Sequence, residues 1–282
     1  MFIPDPLLEE AAFLAAAVRE GSLPARKLVT LAHARIAEMN AFRFDLADAL
    51  HRAGEIDRLV AARTSMPLAG VPFVIAGHGG ERLRAALEQA GAIHLMKLDT
   101  LLDAADAVRQ GIAAIAVIAD AKSETIAACR IHALMTSESD AAFLARSCRD
   151  LALAADAAAG GRSNDVLCRP LTSEVGRGLG SLAIALLRGE DGCLPSTSSR
   201  LNSHCDGRGI AFATVDMADP KSLDRFDAIV SQSLPQRDSF AAWIWLPPSE
   251  RNPEEGLCIA ARSSDIAVRI GSALDAALLI DA

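Results

Sequence analysis

Three short, largely apolar stretches, residues 71–76, 92–98 and 112–119, alternate with two segments of helical periodicity, 81–89 and 101–109. A strand buried on both faces of a parallel sheet needs such a run. Glycines punctuate the pattern: Gly70 and Gly77 bound the first stretch, Ala90-Gly91 precedes the second, and Gly111 precedes the third. This strand–helix–strand order predicts an α/β domain, with a mixed, largely parallel sheet flanked by helices on both faces.

The flanking segments extend the prediction. Leu7, Ala11, Leu14 and Val18 repeat at helical spacing and Gly21 follows as a stop. Leu28, Leu31, Ala32 and Met39 mark a second helix with Pro24 near its start, and residues 45–62 carry a third. Leu144, Cys148, Leu151, Ala155 and Ala158 share one helical face ahead of Gly160-Gly161. Strands are expected at 210–215, 226–231 and 258–261, and a closing helix at 265–279. Residues 162–208 are irregular and read as an insertion in one domain spanning 1–282. Within it, Gly176-Arg177-Gly178-Leu179-Gly180 has the wrong spacing for a dinucleotide loop, and a helix is expected at 181–187. Trp243 and Trp245 alternate, so they share one face of a strand, as core or as a contact surface.

Composition removes several functions. Of 282 residues 51% are hydrophobic, the net charge is −8, and no basic stripe is present to neutralise phosphates, which argues against nucleic acid. The longest apolar run, 112–119, is too short to span a bilayer, so no membrane partner is expected. The start Met-Phe-Ile-Pro-Asp-Pro lacks a basic, apolar leader, which points to the cytoplasm. Ala is about a fifth of the chain and Arg far outnumbers Lys, as in a GC-rich bacterial gene. Cys129, Cys148, Cys168, Cys193, Cys205 and Cys258 form no C-x-x-C pair, so reduced thiols are expected. His204-Cys205 is the one Cys–His neighbour pair, and neither a metal nor a cofactor is expected.

Six blocks in order resemble the amidase signature family. They are residues 21–29 leading into the second helix; Pro67-Leu68-Ala69-Gly70-Val71-Pro72-Phe73-Val74, similar to "PLAGVPVAVKD"; and Ala90-Gly91-Ala92-Ile93, similar to "AGAVIVGKTN". The others are Ala145-Arg146-Ser147 with Asp150-Leu151-Ala152-Leu153, similar to "GPMARSVADLALLLDALAG"; residues 226–235, similar to "FDVLLTPTLP"; and the closing strand and helix from Gly256 to Leu274. The resemblance implies a trimmed version of that fold, since family members are usually much longer. It also implies amide hydrolysis by a nucleophilic Ser, a bridging Ser and a Lys base. A serine hydroxyl needs a neighbour to take its proton, and a buried, neutral Lys can do so.

The matching positions are altered. The base Lys falls on Ala76, and the "GGSSGGS" run is replaced by residues 97–103, where Thr100 is the nearest counterpart of the bridging Ser. The nucleophile segment "DTGGSIR" corresponds to residues 120–126, which lack both glycines and offer Ser123 and Thr125 as hydroxyls. Thr125 is the leading nucleophile candidate, with a helix N-cap as its structural alternative. Lys122 or Lys97 would be a relocated base, with an exposed loop Lys as the alternative. Gly77-His78-Gly79-Gly80 follows the first strand. His78, Gly79 and Gly80 are binding candidates there, against the plainer reading of a strand-to-helix turn.

Two functions follow. The first is an amidase-like protein without the Ser-Ser-Lys set, acting by binding, as a partner subunit or homo-oligomer. The second is an amidohydrolase acting on a small amide through a remodelled hydroxyl/Lys site. The first leaves the question of enzyme activity open toward no, and the second toward a hydrolase of linear amides.

Overall fold

The computed structural model of the chain describes residues 5–39, 46–121, 126, 129–136, 141–159, 170–180, 182–187, 212–215, 225–232, 240–248 and 256–279. In chain order these form α1 (Ala11–Arg19), α2 (Ala25–Met39), α3 (Leu46–Ala61), β1 (Pro72–Ala76), α4 (Glu81–Gln89), β2 (Ile93–Leu98), α5 (Leu101–Arg109) and β3 (Ile115–Ala119). Next come β4 (His132–Thr136), β5 (Ala141–Ala145), α6 (Cys148–Ala159), β6 (Ile184–Leu187), β7 (Phe212–Val215), β8 (Ala228–Ser231), β9 (Ala242–Leu246), β10 (Leu257–Ala261) and α7 (Ser264–Leu279). They gather into two compact units, one from residues 1–121 and 141–170, the other from 122–140 and 171–282. No helix among the described residues is long and apolar enough to cross a membrane.

In the first unit the strand order is β2-β1-β3-β5, with the first two pairings parallel and β3–β5 antiparallel. Every residue of β1, β3 and β5 is buried, which is why their sequences are unbroken apolar runs. The chain steps from β1 through α4 to β2 on one side of β1. It returns through α5 to β3 on the other. Right-handed crossovers in opposite directions put α4 and α5 on opposite faces. Accordingly α4 lies against β2 and α6, while α5 lies against β1, β2, β3 and β5.

The N-terminal helices are tied to this unit through caps borrowed from other helices. Asp57 of α3 accepts from the amides of Ala25 (2.7 Å) and Arg26 (3.3 Å) at the start of α2. Asp150 of α6 accepts from Ala11 (2.8 Å) and Ala12 (3.0 Å) at the start of α1, whose own N-cap, Glu10, makes no side-chain cap bond. Arg19 closes α1 onto the loop before β1 by donating to the carbonyls of Met66 and Pro67.

The second unit orders its strands β4-β9-β10-β8-β6-β7. The pairings are antiparallel from β4 to β8 and parallel from β8 to β7. A cluster of Leu187, Val215, Phe226, Ile229, Phe240 and neighbours fills its core, with Trp243 packed against it. Trp245 is buried against Gly256, where a Cβ would lie 2.2 Å from the indole ring. The alternating tryptophans are therefore packing residues.

Two local expectations are corrected. Leu144 belongs to β5, because α6 starts only at Cys148, after Ser147 accepts from the Asp150 amide (3.3 Å). Residues 184–187 are strand β6 rather than helix; all four are buried, and β6 pairs on both sides in parallel, so an apolar run of that length fits either period. Residues 162–169, 181 and 188–208 of the expected insertion lie outside the described residues.

Candidate functional site

The parallel trio β2-β1-β3 sets the geometry. Ala76 is level with Leu98 on one side and Ile118 on the other. The three following loops therefore emerge together at the carboxyl ends of neighbouring strands about 5 Å apart. Between β1 and β3 the chain reverses direction across the sheet. Open α/β sheets bind ligands at such a switch point.

The loop after β1 is Gly77-His78-Gly79-Gly80. Gly77 (φ +88°) and Gly79 (φ +84°) take left-handed conformations that favour glycine. Gly77 also sits where a Cβ would lie 2.5 Å from the carbonyl oxygen of Ala119, so the loop is pressed against the end of β3. Gly80 starts α4 with no side-chain cap, and a Cβ there would lie 2.8 Å from the Ile75 side chain. His78 and Gly79 are exposed and Gly80 is buried. The loop thus offers an imidazole and backbone N–H groups at a helix start, without a carboxylate or a lysine.

Ala76, where the resemblance puts the base lysine, is the last residue of β1 and is buried. Thr100 follows β2 and is the N-cap of α5. Its Oγ1 accepts from the Asp103 amide (3.1 Å) and donates to the Asp103 carboxylate (2.7 Å). Its hydroxyl is committed to the helix start, the alternative reading weighed above for Thr125. After β3, Asp120 holds a left-handed conformation (φ +57°). Lys122, Ser123 and Thr125 come next in the chain and lie outside the described residues. The described lysines, Lys27 and Lys97, are both exposed.

Sequence reading missed other polar constellations. Arg146, in the turn before α6, donates to the carbonyls of Val108 (2.6 Å), Ala113 (3.2 Å), Leu7 (3.0 Å) and Glu9 (2.6 Å). Burial lowers its pKa, with Asp150 opposing the shift. Asp150 is fully buried, and burial pushes its carboxyl up to about 6 against the two amides it accepts. On β2, His94 packs its ring on Phe73 (centroids 5.4 Å), and burial lowers its pKa. In the second unit His132 of β4 and Asp275 of α7 meet at 2.9 Å, and their separation of 143 residues leaves no signal in the sequence.

No known family model matches the chain, and neither does any curated protein. Solved structures do. One is an inhibitor-bound form of an unexpected vestigial protein complex that reveals the evolutionary origins of an s-triazine catabolic enzyme. It is 15% identical with TM-score 0.71 over 94% of this chain and 98% of that one. A native peptide amidase from Stenotrophomonas maltophilia is 15% identical with TM-score 0.70 over 96% and 97%. A bacterial aryl acylamidase of the amidase signature family is 12% identical with TM-score 0.71 over 97% of both chains. At these identities the likeness is one of fold. The chain has the α/β fold of the amidase signature enzymes, as the six sequence blocks imply.

Proposed function

We propose that this chain is an amidase-fold protein without the family's catalytic set, acting in the cytoplasm of a bacterium as the binding or partner subunit of an assembly. One observation carries the reading. The buried end of β1 holds Ala76, which has no group to take a proton, where amide hydrolysis in this fold calls for a base. Two features support it. Lys27 and Lys97 are exposed, whereas a lysine base is made neutral by burial. Thr100 spends its hydroxyl on the start of α5. The fold neighbour from a vestigial protein complex gives precedent for an assembly role in this fold. The whole chain is read as one amidase-like unit of function, with residues 162–208 an elaboration of it.

A second reading is retained on the sequence of residues 122–125, which falls in the stretch corresponding to the family's nucleophile segment and carries Lys122, Ser123 and Thr125. On that reading Thr125 or Ser123 attacks a small linear amide with Lys122 as base. A fluorophosphonate probe followed by intact mass separates the two. The expected result is folded, unlabelled protein that co-purifies with a defined partner from its own host. A stoichiometric adduct on Thr125 or Ser123 refutes the partner reading and establishes the second.

A further inference from the structure

His94 stands on β2 level with Phe73 of β1, and their rings meet at 5.4 Å between centroids. Level partners on neighbouring strands point to the same face, and Ile75, two residues beyond Phe73, shares it. Gly80, at the start of α4, lies so close to Ile75 that a Cβ would come within 2.8 Å of its side chain. The face that carries His94 is therefore the one α4 covers. There the imidazole Nε2 is shut off from solvent and has no hydrogen-bond partner among the described residues. A neutral ring tolerates one bare nitrogen. A protonated ring donates from both, and Nε2 then becomes a charged donor with nothing to receive its proton.

We propose that His94 is a proton-sensitive pin under α4: the neutral ring seats the helix on the sheet, and protonation in mild acid lifts it.

The charges around the ring are already committed elsewhere. α4 brings Glu81, Arg84 and Glu88 toward it. The Glu88 carboxylate accepts from Arg84 Nε at 2.9 Å, and Arg84 is itself a positive charge that repels a second one. Glu81 is exposed. From α3, Arg52 donates to the Glu88 carbonyl (2.6 Å) and to the Glu55 carboxylate (3.0 Å). β1 carries no titratable residue, and Lys97 of β2 is exposed. Asp103, Asp106 and Arg109 belong to α5, on the opposite face. Burial first, and Arg84 second, hold the imidazole below its ordinary 6.5, against the weaker pull of Glu88, the Met96 backbone and Glu81. The docked form thus refuses a proton that the lifted form accepts. The stabilisation given by the neutral ring is fully present above 6.5 and is lost as pH falls from there through the docked value. Because α4 begins directly after Gly80, lifting it also frees the Gly77–Gly80 loop.

The test is amide hydrogen exchange on the full chain between pH 7 and pH 5, corrected for intrinsic exchange. Amides from Ala85 to Gln89 report α4, and those of α5 serve as the internal control. The expected result is protection in α4 that falls several-fold across the range while α5 stays flat, with a limiting slope of about tenfold per pH unit, the mark of a single proton. His94→Phe keeps a ring against Phe73 and removes the titration, so its α4 profile is expected to be flat. Asp150 remains in that variant, so a flat profile assigns the proton to His94. If His94→Phe does not fold, the His94 imidazole is titrated in the unaltered protein by proton NMR, with a midpoint expected below 6.5. A midpoint at or above 6.5 overturns the proposal. So does α4 protection that does not change with pH, and so does a pH-dependent α4 in His94→Phe. An α5 profile that tracks α4 overturns it too, because the whole unit would then open together.

Discussion

Gly77 and Gly79 make a controlled pair. Both hold left-handed backbone, at φ +88° and +84°, within the same four-residue loop. They differ in space. A Cβ on Gly79 meets nothing within 4 Å, whereas one on Gly77 lies 2.5 Å from the Ala119 carbonyl oxygen. Alanine at either position incurs about 1 kcal/mol for the left-handed conformation. At Gly77 it also meets backbone of β3, which cannot swing aside like a side chain. Relieving that contact by moving a strand costs a further 1–3 kcal/mol or so. Gly77→Ala is therefore expected to lose about 2–4 kcal/mol and Gly79→Ala about 1 kcal/mol. In urea, with unfolding followed by far-UV circular dichroism, Gly77→Ala should move the midpoint down by about 1–2 M without changing the slope. Equal losses in the two variants would refute the argument, because shared φ would then account for everything. So would a Gly77→Ala midpoint at the parental value.

Three further outcomes are expected. Arg146→Ala strands the carbonyls of Leu7, Glu9, Val108 and Ala113 and should cost about 3 kcal/mol in thermal or urea unfolding, with Arg146→Lys recovering only part, since an ammonium lacks the guanidinium's planar spread of donors. Asp57→Ala removes the cap of α2 and should cost about 1–2 kcal/mol, while Asp57→Asn, which keeps one acceptor, should cost less. The Cys258 thiol is fully buried and burial pushes its pKa far up, so iodoacetamide at pH 8 should leave it unlabelled until denaturant is added; labelling of the folded protein would contradict the packing of β10.

How much was legible depended on whether a residue's partner was local. The runs 72–76 and 115–119 announce themselves because both faces of those strands are covered. The glycines at 77 and 91 fall at the ends that their positive φ requires. Residues 184–187 fit a helix in sequence and form a strand in the structure, because a run that short fits two periods. Leu144 joined a helical stripe by spacing alone, while Ser147 sets the true start of α6. At the candidate site, the loss of the lysine at position 76 is plain from sequence, but the role of Thr100 needed the Asp103 geometry. Arg146 and Asp150 stood inside a matched block, yet their hold on the N-terminal segment spans 137 to 139 residues, where no spacing rule reaches.

That distant grip has a consequence for variation. Arg146 and Asp150 take hold of residues 7, 9, 11 and 12 by main-chain oxygen and nitrogen alone. Main-chain atoms are common to all residues, so the hold does not read what the held segment spells. Leu7 is fixed by its own burial, but Leu8, more than half exposed, is not. The outer face of this segment can thus be rewritten, in hydrophobicity or in charge, while its docking is preserved by two letters elsewhere in the chain.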